Sequence, residues 1–231
     1  KYYCEDALGN VGPIDDEKFK VEGTSFTIEL NKKWNLISVP FVLQDNDITK
    51  VLGNGIVGDV NNVEAVWAYD SILGWQVYRP SNPGASNLET MDPGRGYWTS
   101  MYNDDELVIG GALFSPAQTP PSWPIVPGWN LIGYYGNDGL FEPPLQTKTI
   151  YDGPDTDFTE GPGRDAGCML YSLGDSVLDK GWTGLLGYWE PDNPNQWSAY
   201  NYGDSLDAGA GYWLSTDETG QYEFTTNCGF V

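Results

Sequence analysis

The chain of 231 residues contains no histidine. That absence removes a Ser-His-Asp triad, a Cys-His pair, an imidazole zinc ligand and an imidazole base titrating near neutrality. Basic residues are scarce as well: 11 Lys and Arg stand against 33 Asp and Glu, for a formal net charge of −22. Phosphate contacts need clustered cations, so nucleic acid is excluded as a partner and anionic lipid surfaces are disfavoured. The three cysteines, at 4, 168 and 228, have neither zinc-ligand spacing nor a Cys-x-x-Cys pair. No apolar run is long enough to span a membrane, and no Asn-x-Ser/Thr sequon occurs. The sequence opens on Lys without a secretory signal, which leads to the expectation of a mature or trimmed form.

What is present points to an all-β fold. Gly 29, Pro 16 and 14% aromatics, with short apolar runs such as Phe26-Thr27-Ile28-Glu29-Leu30, describe many short strands joined by tight turns. Strands are expected at 26–30, 35–42, 63–70, 74–79, 95–101 and 105–110, then at 123–126, 129–135, 167–173, 184–190, 196–201, 209–215 and 220–226. One helical turn is expected around Asp47–Leu52, where Ile48, Val51 and Leu52 share a face.

These segments occur twice over. Lys33-Trp34-Asn35-Leu36-Ile37-Ser38 is echoed by Gly128-Trp129-Asn130-Leu131-Ile132-Gly133, and Pro93-Gly94-Arg95-Gly96-Tyr97-Trp98 by Ala208-Gly209-Ala210-Gly211-Tyr212-Trp213. Between them, Val66–Pro80 and Leu186–Tyr200 each read as a hairpin with aromatics on both arms. A period of roughly 90 to 100 residues implies tandem domains rather than a solenoid. The expected architecture is two small β-sandwich or barrel domains with separate cores. An N-terminal arm (1–25) precedes the first copy (26–114), a stiff Pro-rich linker (115–122) follows, and the second copy (123–231) carries an acidic insertion at about 136–183.

Candidate sites are of three kinds. Cys4 and Cys228, near opposite ends of the chain, are expected either to form a disulfide, with Cys168 left over, or to stay as buried thiols beside it. Asp152, Asp155, Asp157, Glu160 and Asp165 lie in a Gly/Pro-rich run that is either a calcium site or a solvated acidic loop, since calcium takes oxygen ligands from such loops. Gln44-Asp45-Asn46-Asp47 is a weaker cluster of the same kind. Trp75, Tyr78, Trp189, Trp197, Tyr200 and Tyr202, near Asn, Asp and Gln on hairpin arms, are the candidate platform for stacking sugar rings. Trp34 and Trp129 are expected to cap the cores. Tyr97-Trp98 and Tyr212-Trp213 should each send one ring in and its neighbour out, with the Trp assigned to the core.

The order Trp34-Asn35-Leu36-Ile37-Ser38-Val39-Pro40, Val66-Trp67-Ala68-Tyr69-Asp70, Gly74-Trp75, Pro93-Gly94-Arg95-Gly96-Tyr97-Trp98 and Leu107-Val108-Ile109-Gly110-Gly111 resembles a repeat of large surface and secreted proteins of archaea and some bacteria. The second copy lacks the Ser and Pro after its first signature and has Ala210 in place of the Arg. The resemblance implies a noncatalytic all-β module of a surface layer, filament or adhesion protein. The leading expectation is therefore a structural subunit of an extracellular or cell-surface assembly, partnered by copies of itself through β-edges and terminal arms. A carbohydrate-binding module facing cell-surface polysaccharide is the alternative. A glycoside hydrolase using two carboxylates is the remote one, because 33 acids make some close pair inevitable.

Overall fold

Phe26, Ile28 and Leu30 alternate with Thr27 and Glu29, and the segment folds as strand β1 (Thr24–Leu30) with those three apolar side chains buried. The same period-two logic builds most of the chain. The structure is a computed structural model that describes residues 24–112, 121–134, 163–174, 181–188 and 197–223.

In the first half, β1 is followed by β2 (Lys33–Ser38), β3 (Val42–Leu43), helix α1 (Ile48–Gly55), β4 (Val63–Asp70), β5 (Gly74–Tyr78), β6 (Gly96–Met101) and β7 (Asp105–Ala112). A four-stranded antiparallel sheet has the order β2-β6-β4-β5, and a three-stranded one the order β1-β7-β3. Helix α1 starts where the Asp47 carboxylate accepts the Thr49 amide at 2.8 Å, and it buries Ile48, Val51 and Leu52 as expected.

The second half contains β8 (Trp123–Ile125), β9 (Gly128–Gly133), β10 (Gly163–Asp165), α2 (Ala166–Met169), β11 (Gly184–Tyr188), β12 (Trp197–Ala199), β13 (Ser205–Asp207), β14 (Gly211–Thr216) and β15 (Gly220–Tyr222). Its main sheet runs β9-β14-β11-β12, the same order as the first, with β8 paired to β15 and β10 to β13. The expected strand at 167–173 is instead α2 and a 3-10 turn at Tyr171–Leu173. Cys168-Met169-Leu170 is a short apolar run with no period of its own, and a run of that kind fits a buried helical turn as well as a strand.

Three local devices repeat position for position. The Asn35 side chain donates to the Asn31 carbonyl at 2.7 Å and accepts the Asn31 amide at 2.9 Å, stapling the turn between β1 and β2. Asn130 does the same with Val126, at 2.8 and 3.1 Å. The buried Tyr97 hydroxyl accepts the Asp92 amide at 2.6 Å, and the buried Tyr212 hydroxyl accepts the Asp207 amide at 2.7 Å. Lys33 has φ 76° and Gly128 φ 99°, so the residue before each Trp is left-handed. Only glycine adopts that conformation without strain.

The halves join through a fourth repeated feature. The Ser38 amide donates to the Gly209 carbonyl at 2.7 Å, and the Gly133 amide donates to the Gly94 carbonyl at 2.9 Å. Single β-bridges Ile37 to Ala210 and Arg95 to Ile132 flank these bonds. Backbone comes this close because Gly96 and Gly211 lack side chains. A Cβ on Gly96 would stand 2.5 Å from the Ile132 carbonyl oxygen, and one on Gly211 would stand 2.8 Å from that of Ile37. The buried apolar residues of both halves form one cluster, in place of the two separate cores expected. Among the described residues the sheets stack and no barrel closes. The segments 1–23 and 113–120, which hold most of the arm and linker, lie outside the described residues.

Candidate functional site

Register fixes which side chains share the outward face of each main sheet. In the first half, Trp34 pairs with Ser100, Trp67 with Trp98, and Tyr69 with Trp75. In the second, Trp129 pairs with Ser215, Leu186 with Trp213, and Tyr188 with Trp197. Each Tyr-Trp motif resolves one way: Tyr97 and Tyr212 point inward, where the amide of a residue five positions earlier satisfies the hydroxyl, and alternation then forces Trp98 and Trp213 outward. The assignment of those Trp residues to the core is thus corrected. So is the capping role of Trp34 and Trp129, which are 41% and 47% exposed.

The two aromatic faces turn toward each other. Trp98 meets Tyr188 at 4.7 Å between ring centroids and Trp197 at 5.8 Å, while Trp213 meets Tyr69 and Trp75, each at 6.0 Å. Rings from each half therefore pack on the outward Trp of the other. Pairs of this kind stabilise by about 0.5–1.5 kcal/mol beyond burial. Where the faces diverge they leave an open cleft of about 450 Å³ lined by Trp34, Trp67, Trp75 and Trp98 from the first half and Tyr188 from the second. Among the described residues its walls are indole and phenol. On the same sheet, the Arg79 guanidinium stands 5.1 Å over the Trp67 ring, and Ser100 Oγ donates to Glu64 Oε2 at 2.6 Å.

A second cation sits inside the junction. Arg95, 9% exposed, lies 4.9 Å over the Trp123 ring, donates to Gln76 Oε1 at 3.1 Å and reaches Asp70 Oδ2 at 4.0 Å. Trp123 Nε1 donates to the Pro93 carbonyl at 2.9 Å and Ser71 Oγ to that of Pro124 at 3.2 Å. These contacts tie the start of the second half to the hairpin and loop of the first.

The expected aromatic platform divides. Trp75 and Trp197 are 48% and 47% exposed, and both belong to the aromatic faces just described. Tyr78 and Tyr200 are buried, because inward positions on β5 and just after β12 place them in the core; Tyr202 is half-buried and packs against the same cluster. These three are not a platform. Trp189 lies outside the described residues. The cleft residues that the sequence reading left out are Trp34, Trp67, Trp98 and Tyr188. The signal was there in Trp67 and Tyr69, two apart on one hairpin arm opposite Trp75 on the other.

Asp152, Asp155, Asp157 and Glu160 lie outside the described residues, and Asp165 pairs through its backbone with Ser205 in β10. Among the described residues no group of three or more Cys, Asp or Glu could hold a metal. In the Gln44–Asp47 cluster the carboxylates serve the backbone: Asp45 accepts the Asp47 amide at 3.0 Å, and Asp47 caps α1. Hydrogen bonds from Thr49 hold the Asp47 carboxyl below its ordinary pKa. Burial works to raise Asp105, but bonds from the Asn62 side chain and the Glu106 and Gly58 amides outweigh it and leave this carboxyl lowered too. Cys168 is disulfide-bonded, and its partner lies outside the described residues. With three cysteines in all, a bridge that uses Cys168 rules out the expected pairing of Cys4 with Cys228.

The fold and the cleft define an all-β protein with a shared aromatic face. No family model, curated protein or solved structure matches the chain. Among the described residues no helix is long and apolar enough to cross a membrane.

Proposed function

We propose that the chain is a noncatalytic recognition module of an extracellular or cell-surface assembly, and that the aromatic cleft is its contact site. The observation that carries the proposal is the cleft itself: five rings from both halves wall one opening, and Trp34 and Trp75 keep over two-fifths of their surface in water. Exposed aromatic surface gathered in one place is what recognition surfaces use, whereas isolated exposed apolar residues need no explanation. Indole transfers no protons at neutral pH. Among the described residues, the carboxylates whose pKa is displaced, Asp47 and Asp105, are lowered, the opposite of what a glycosidase acid requires. The disulfide at Cys168 fits an oxidising compartment.

The test is a screen of soluble glycans and small molecules read by the indole N–H resonances of the ten tryptophans. Ligands are expected to move Trp34, Trp67, Trp75 and Trp98 and to be recovered chemically unchanged. A ligand that moves only residues away from the cleft, or is turned over, defeats the proposal.

Self-assembly into a surface layer, sheath or filament is the second reading, favoured by β1. This seven-residue strand ends the β1-β7-β3 sheet, and among the described residues nothing pairs with its outer side. Such edges template pairing between chains. Deleting residues 1–22 should then abolish regular arrays in negative-stain micrographs while the monomer stays folded; arrays that persist would sink this reading. Calcium at the acidic run from Asp152 to Asp165 is proposed on the sequence alone, and arrays that survive a chelator unchanged would count against it.

A further inference from the structure

The geometry points to a free quaternary ammonium cation, of the choline type, as the ligand class of the aromatic cleft. The inference rests on the cleft being a recognition site and names what it recognises.

Ring orientation is the first ground. Flat sugar rings stack on aromatic faces that are themselves laid out as a platform. Here neighbouring rings meet near right angles: 85° for Trp34 and Trp98, 82° for Trp67 and Trp75, and 70° for Trp98 and Tyr188. Walls set at right angles make a box, and a box of π-faces surrounds a compact group rather than a flat one. Each face carries the negative lobe of the ring quadrupole, so the group it favours is a cation. A tetrahedral ammonium bearing methyl groups matches such walls because it offers positive charge with no N–H donor, and the rings provide almost no acceptors.

Charge complementarity is the second ground. The net charge of −22 raises the local concentration of cations around the whole molecule, and the indole walls supply short-range selectivity that carboxylates alone lack. The chain already uses this chemistry internally. Arg79 stands over Trp67 and Arg95 over Trp123 in the junction. Arg79 already occupies a face of Trp67, one of the lining rings, so its removal should strengthen binding of a cation while leaving a neutral ligand unaffected.

The experiment is isothermal titration of the whole chain with choline, with its uncharged carbon isostere 3,3-dimethylbutan-1-ol, and with a set of soluble oligosaccharides. Choline is expected to bind at least about tenfold tighter than the isostere and to weaken as salt rises. Arg79→Gln should tighten choline binding by several-fold. Trp34→Ala, which gives up its ring contact with Trp98, and Trp75→Ala, which gives up those with Trp67, Tyr69 and Trp213, should each weaken it by about tenfold while the variant still unfolds cooperatively, so that a folding defect in one leaves the other as the test. Choline binding that the isostere equals, or that neither Trp substitution changes, overturns the inference. Oligosaccharide binding without choline binding overturns the cation and leaves the cleft as a recognition site. Binding of none of these compounds overturns the cation and counts against the recognition reading as well.

Discussion

The two halves agree where they hold each other and differ where they face solvent. Asn35 and Asn130, Tyr97 and Tyr212, and Gly96 and Gly211 make the same contacts in the two halves. At the outward positions Trp67 faces Trp98 in the first half, whereas Leu186 faces Trp213 in the second. Arg95 spans the junction, whereas its counterpart is Ala210. Packing of two sheets demands matched backbone approach on both sides of the contact, so the welding positions leave little freedom. The outward positions carry no such demand, and there an indole in one half and a leucine in the other make a cleft walled mainly by first-half rings.

High pH should stress the halves most. Burial raises Tyr97 in the first half, and burial with the Asp207 charge raises Tyr200 in the second; Tyr212 is raised chiefly by burial. A raised folded pKa leaves stability untouched below the unfolded tyrosine value of about 10 and removes it as pH climbs through that value, since only the unfolded chain ionises. At pH 11 the loss should be about 1 kcal/mol per tyrosine. Denaturant midpoints at pH 8 and pH 11 measure it, and Tyr97→Phe should remove about 1 kcal/mol of the difference. A midpoint indifferent to pH would mean that the tyrosines are not held neutral.

Next in size is the weld. Gly96→Ala and Gly211→Ala each force a methyl against a backbone oxygen and should each cost about 2–3 kcal/mol. Gly84→Ala, where a Cβ meets nothing within 4 Å, should cost less than about 0.5 kcal/mol. Unequal penalties at Gly96 and Gly211 would break the equivalence of the two contacts. The turn staples follow: Asn35→Ala and Asn130→Ala should each cost about 1–2 kcal/mol by orphaning buried backbone groups. Smallest is the left-handed residue before Trp34. Lys33→Gly relieves the strain at φ 76° and should stabilise by about 0.5–1 kcal/mol, and a destabilised variant would show that strain is not the controlling effect there.

Much of this fold was legible in the sequence because its strands are local. Phe26-Thr27-Ile28-Glu29-Leu30 announces an alternating strand, and Ile48, Val51 and Leu52 a helical face behind Asp47. The cleft was less legible. Tyr-Trp alternation shows that one ring goes in, and only the Asp92 and Asp207 amides, placed by the chain five residues upstream, decide that it is the tyrosine. The motif glycines could be read as turn formers. Their role in admitting the Ile132 and Ile37 carbonyls depends on partners more than a hundred positions apart in the case of Gly211 and Ile37, and no local pattern carries that. Shared burial was hidden for the same reason, since two echoing segments look alike whether their cores are separate or common.

The central claim is that the halves form one unit through reciprocal backbone bonds that bring the aromatic faces together. Native-state hydrogen exchange at the Ser38 and Gly133 amides tests it most directly, because these donate the two bonds across the junction. Both are predicted to exchange only through global unfolding, at the free energy of core amides such as Ile28. Exchange of either at a much lower free energy would contradict the claim, since the halves would then separate while each stayed folded.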